Sequence, residues 1–166
     1  MTTPSADTTS PTADTRLIAW MTKIRRDLHM HPEISFNEFR TANLIAEKLD
    51  ELKIPFQSEI AKTGIIATIG SAEKGEKSVA LRADMDALPI QEKTGLPFSS
   101  KHKGVMHACG HDGHVAMLLG AAALLKEQAK LPGRVVLLFQ PAEEDQGGAR
   151  HMIEAGALNG VSTIFA

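Results

Sequence analysis

Nine consecutive residues, Met106-His107-Ala108-Cys109-Gly110-His111-Asp112-Gly113-His114, hold three of the chain's seven histidines and its single cysteine. A thiolate and several imidazoles, joined by carboxylates, are the donors that a zinc-like or manganese-like ion prefers. Carboxylates are available in two further segments. Asp84-Met85-Asp86 follows the β-rich run Ser78 to Ala83, and Glu143-Glu144-Asp145 follows the apolar run Arg134 to Gln140 by way of Pro141-Ala142. Ligands of open α/β sheets collect where strands end, because loops leave the sheet there and backbone groups are free to point inward. Gly110 and Gly113 stand where the backbone must turn sharply or approach something closely.

Each piece has a plainer reading. A lone cysteine is often a small buried hydrophobe, a histidine at a helix start is often a cap, and an isolated Glu-Glu pair is usually a wet loop. The three segments together favour a metal site. A Cys109 nucleophile paired with histidine is the main rival, but it leaves the adjacent glutamates at the next strand end without a role. No Gly-x-Ser-x-Gly elbow supports a serine triad.

The elements that must position these groups follow from periodicity. Leu17, Trp20, Met21, Ile24 and Leu28 have helical spacing from Arg16 onward, ending near His31-Pro32 because the residue before proline is pushed out of helical geometry. Ser35 and Glu38 read as a capping box for a second helix carrying Phe39, Ala42, Ile45, Ala46, Leu49 and Leu52. Gly64 to Ile69 and Ser78 to Ala83 read as neighbouring strands joined by a charged turn, Ala72 to Lys77. Ala116 to Leu125 is a small-or-apolar run about half of the ~20 residues that a membrane span needs, and reads as a buried helix of a soluble protein. Arg134 to Gln140 reads as a strand buried on both faces, and Ser162 to Ala166 as the start of another. The expected fold class is α/β, a mixed sheet covered by helices.

Composition narrows the function classes. With 18 Lys plus Arg against 20 Asp plus Glu, the net charge of -2 gives no electrostatic reason to expect nucleic acid or an anionic membrane as partner. Residues 1–15, rich in Thr, Ser, Pro and Asp, read as a disordered tail. They contain neither the basic start and apolar block of a secretory signal nor the arginines of a transit peptide. One cysteine allows no intrachain disulfide, so the expected location is the cytoplasm.

The segments Asp84 to Ile90, His107 to His114 and Gln140 to Glu144 resemble the signatures of the aminoacylase/carboxypeptidase family of metal-dependent amidohydrolases. The nearest branch is that of hippurate hydrolases and auxin-amino-acid conjugate hydrolases. The likeness runs from the first helix, including Leu28-His29-Met30-His31-Pro32-Glu33, to the last residue. It implies the first half of a dinuclear-metal exopeptidase-like catalytic domain, with residues 16–166 as its N-terminal part and a dimerisation and lid domain outside them. It also implies two divalent ions, zinc or manganese, with cobalt or nickel as alternatives. Cys109 would bridge them, with His111 a ligand of one, Glu144 a ligand of the other, and Glu143 the general base.

Many relatives in that family carry His-x-Asp where Asp84-Met85-Asp86 stands, and His111 would compensate for the missing histidine. Asp84 and Asp86 would then stand behind His111 and accept its other N–H, with structural capping as the alternative role. His114, one turn further along, would face either substrate or core. The expected reaction is hydrolysis of the amide of a small N-acyl amino acid, by a protein that is a homo-oligomer at full length. The alternatives are a dipeptidase or carboxypeptidase of the same family, or an inactive fragment serving as a metal-binding or interaction module. Three named ligands are too few for two ions that want about four donors each. The isolated chain is therefore expected to bind metal weakly without turnover, and to expose an apolar sheet face with an unpaired edge.

Overall fold

The spacing that begins at Leu17 becomes helix α1 (Thr15–Met30) in the computed structural model, which describes residues 15–71, 78–128 and 130–166. The expected tail, apart from Thr15, and the expected turn at 72–77 lie outside the described residues. Helix α1 stops before His31-Pro32, and Ile24, Leu28 and His29 form its buried stripe.

Helix α2 (Phe39–Glu51) buries Thr41, Ile45 and Leu49. Its start corrects the capping-box reading, because Glu38 is the N-cap and makes no side-chain cap bond. Ser35 instead donates its hydroxyl to Asp86, 2.9 Å away. The helix is capped from outside by Glu33, whose carboxylate accepts the Arg40 and Thr41 N–H groups at 3.0 and 2.8 Å. A carboxylate against the free N–H groups of a first turn also complements the helix dipole.

Five strands follow: β1 (Phe56–Ile60), β2 (Gly64–Ile69), β3 (Ser78–Asp84), β4 (Arg134–Gln140) and β5 (Thr163–Phe165), in the sheet order β1-β2-β4-β3-β5. The sheet is mixed: β4 runs parallel to β3 and antiparallel to β2. The expectation that β2 and β3 are neighbours is therefore corrected. β3, helix α3 (His111–Lys126) and β4 form a crossover unit, which lays β4 along β3 in parallel; β5 takes the other edge of β3 and β2 the far edge of β4. Edge strand β1, mostly exposed, and the short α4 (Gly148–Glu154) carry no clear apolar period that would mark them in the sequence.

Alternation along β4 decides the layers. Leu137 and Phe139 join the cluster under α1, α2 and α3, while Val136 and Leu138 face the other side with Met152 of α4. Helices thus cover both faces, as the run of apolar residues in β4 requires. Ile164 and Phe165 are exposed on the outermost strand. No helix among the described residues is long and apolar enough to cross a membrane.

Candidate metal centre

β3 and β4 lie side by side and in register, Asp84 against Gln140, so both acidic exits open at the same end of the sheet. α3 begins at His111, after Gly110 in the left-handed region at φ 96°. A side chain at that φ would be strained, and this turn sets Cys109 and His111 on either side of one glycine. The cysteine, exposed at the mouth of the site, and the nearly buried His111 then meet Glu144. One ligating atom of each lies within 4.8 Å of the others.

His111 is held in a single orientation. Its Nδ1–H donates to the Asp86 backbone oxygen at 2.9 Å and to Asp86 Oδ1 at 3.2 Å, which leaves the Nε2 lone pair facing the site. That nitrogen stands 3.7 Å from Glu144 Oε1. This is too long for a hydrogen bond and close to the ~3.4 Å that separates two ligands on one tetrahedral ion with ~2.1 Å bonds. Glu144 Oε1 is itself buried without a hydrogen-bond partner. A buried carboxylate oxygen facing a thiol and an imidazole lone pair fits a divalent cation, which is what such a donor set binds.

Asp86 links the pieces. Besides His111, it accepts the Glu144 N–H at 3.1 Å and the Ser35 hydroxyl. Burial opposes its charge, but hydrogen bonds from His111, the Glu144 N–H, Ser35 and the Glu143 N–H prevail and hold its pKa down to about 2. Burial would depress His111, yet Asp86 and Asp84 outweigh it and raise the imidazole pKa. Desolvation, and then the Glu144, Asp84 and Glu143 carboxylates, push the Cys109 thiol up. Carboxylates thus dominate the surroundings of both Cys109 and His111.

A second set of potential ligands, Asp84, His111 and His114, shares His111. The single free nitrogen of His111 cannot serve two ions. Asp84 is already engaged by Arg82 Nη1 at 2.9 Å and by His114 Nδ1 at 2.6 Å, so the Cys109 set is the better seat. Of the two aspartates expected to receive the other N–H of His111, only Asp86 does so, while Asp84 orients the half-exposed His114. Glu143 is exposed beside Glu144 at the mouth.

Several residues around the site carried no assignment from the sequence. Asp112, fully buried in the first turn of α3, accepts from His29 at 2.8 Å and Arg25 at 3.2 Å and so clamps α1 to the end of α3 that starts at His111. His29 also lies 3.3 Å from Glu92. His107 is buried with both ring nitrogens unpartnered, and burial takes its pKa down to about 4. A histidine and a glutamate at positions that face the core, His29 and Glu38, were the available signals, because most buried polar groups are hydrogen-bonded.

Several known proteins are similar to this chain. IAA-amino acid hydrolase ILR1-like 6 of Arabidopsis thaliana is 55% identical over 150 residues, covering 90% of this chain and 32% of the relative. N-acetyl-L-cysteine deacetylase of Bacillus subtilis is 54% identical over 143 residues, covering 86% and 34%. The crystal structure of the Bacillus subtilis YXEP protein, described as a dinuclear metal binding peptidase from M20 family, superposes with a TM-score of 0.87 at 51% identity, covering 92% of this chain and 43% of that one. The chain thus spans about a third of the length of these curated relatives. The model of peptidase family M20/M25/M40 matches residues 80–166. That segment holds both acidic strand exits and the Cys-Gly-His-Asp-Gly-His turn between them, and the chain belongs to peptidase family M20/M25/M40.

Proposed function

We propose that this chain supplies the ligand-bearing, N-terminal part of a cytoplasmic metal-dependent amidohydrolase that cleaves N-acyl amino acids. In this reading Cys109, His111 and Glu144 would hold divalent metal, of which the complete centre would take two ions. Zinc or manganese suits the mixed thiolate, imidazole and carboxylate set, and cobalt or nickel would also be accepted. The observation that carries the reading is the convergence of those three ligating atoms within 4.8 Å around a buried, unpartnered carboxylate oxygen. The substrate class draws support from relatives named for amide hydrolysis of amino-acid conjugates and N-acetylcysteine.

When bound, the ions supply Lewis-acid polarisation of the scissile carbonyl and acidify water. Glu143, exposed at the mouth and adjacent to a ligand, takes the proton of the attacking water on its carboxylate and returns it to the departing amine nitrogen. Asp86 keeps the His111 lone pair directed into the site, and Asp84 orients His114 at the edge where substrate enters. A thiol nucleophile fits less well, because the surroundings of Cys109 raise its pKa, the opposite of what a nucleophilic cysteine needs.

Chelation of the full-length protein separates the two mechanisms. Turnover of N-acyl amino acids should vanish on metal removal and return with added zinc or manganese, while hydrolysis that survives chelation would sink the metal reading. Glu143→Gln should keep bound metal, measured by mass spectrometry, and lower kcat by about 10²- to 10⁴-fold. Near-normal kcat would refute the role of the base.

A further inference from the structure

Glu38 is fully buried, and nothing in the proposed chemistry uses it. Nor does it cap its own helix, since Glu33 takes the first-turn N–H groups of α2. Its two oxygens point elsewhere: Oε1 accepts the Ala142 N–H at 2.9 Å, and Oε2 accepts the Thr63 hydroxyl at 2.6 Å. Three segments distant in sequence meet here, because Gly64 also abuts Pro141 so closely that an added Cβ would stand 3.0 Å from its ring.

Ala142 is the residue immediately before Glu143-Glu144, and it sits at φ 50°, in the left-handed region that residues with a side chain avoid. Such a conformation persists only where its surroundings over-determine it. The Ala142 N–H is held by Glu38, its carbonyl by the Gly148 N–H at 2.9 Å, and the Glu144 N–H by Asp86 at 3.1 Å. Burial raises the Glu38 pKa against the opposing effect of its hydrogen bonds from Thr63 and the Ala142 N–H, so the fold keeps a costly acid at this position.

We propose that Glu38 is a positioning residue of the metal centre: its grip on the Ala142 N–H sets the turn that presents Glu143 and Glu144. The proposal rests on the metal-centre reading above. Without the acceptor, Ala142 relaxes out of the left-handed region, and the Glu144 carboxylate swings away from Cys109 and His111. Partners behind a metal ligand typically matter at about the ten- to hundredfold level in affinity.

The test compares Glu38→Met with Glu38→Gln in the full-length protein, two side chains of similar length that differ in having an acceptor. Zinc affinity is read by competition with a chelating indicator and fold by circular dichroism. Glu38→Met should bind zinc about ten- to a hundredfold more weakly, and Glu38→Gln should recover most of that loss, because its amide oxygen can still accept the Ala142 N–H. In a Glu144→Ala background the effect of Glu38→Met should disappear, since a residue acting through Glu144 has nothing left to position. If Glu38→Met does not fold, Thr63→Val, which frees Oε2 alone, runs through the same cycle with a smaller loss that must also vanish with Glu144→Ala. Equal weakening by Met and Gln, or a loss that persists undiminished in the Glu144→Ala background, would overturn the role of Glu38 and leave the metal centre standing. Unchanged zinc affinity in Glu144→Ala itself would overturn the metal centre, and the proposal for Glu38 with it.

Discussion

Asp86→Asn removes one negative charge from a side chain that is 1% exposed and keeps its shape. The native carboxylate accepts from His111, Ser35 and the Glu144 N–H, and an amide would turn an N–H toward one of these donors. These bonds draw the Asp86 pKa from the ordinary 3.8 down to about 2. At about 1.4 kcal/mol per tenfold change in proton affinity, the ionised group contributes about 2 to 3 kcal/mol. Because the folded state holds the proton less tightly than the unfolded chain, that stability is present above about pH 3.8 and is lost as the pH falls toward about 2. Urea denaturation with a chelator present, so that metal affinity does not enter, should place wild type about 2 to 3 kcal/mol above Asp86→Asn near neutral pH. The gap should close between about pH 4 and about pH 2. A neutral-pH gap below about 1 kcal/mol, or one that widens on acidification, would refute the reasoning.

Cys109→Ala and Glu144→Ala should each lower metal content measured by mass spectrometry, because each deletes a proposed ligand; unchanged stoichiometry in both would show that the site is elsewhere. Gly148→Ala would set a Cβ 1.8 Å from the Pro141 carbonyl oxygen. It should cost more than about 3 kcal/mol in denaturation and weaken metal binding with it, and an unchanged Tm would contradict the packing described here. Phe139→Ala, fully buried near the end of β4, should cost about 3 to 5 kcal/mol, measured by the same denaturation.

The sequence by itself determined the family resemblance and most of the elements. Cys109, His111 and the acidic strand exits have the residue types and close spacing on which the proposal of metal ligation rests. The stripes of α1 and α2 and the unbroken apolar run of β4 follow from periodicity, which records burial along a segment's own axis. Periodicity carries no record of the partner across the interface. Only the tertiary structure placed β4 between β2 and β3, since the β3–α3–β4 crossover sets one edge of β4 against β3 and the other edge against β2. It likewise brought Glu144 to Cys109 and His111, and it assigned Asp86 to His111 and Asp84 to His114, a division that the paired spelling Asp-Met-Asp could not reveal. Glu38 makes the same point most directly. Three residues after Ser35, it has the spacing of a local cap, yet its carboxylate is buried against Thr63 and Ala142. A buried charge must find donors wherever the fold brings them, and local spacing cannot say where that will be.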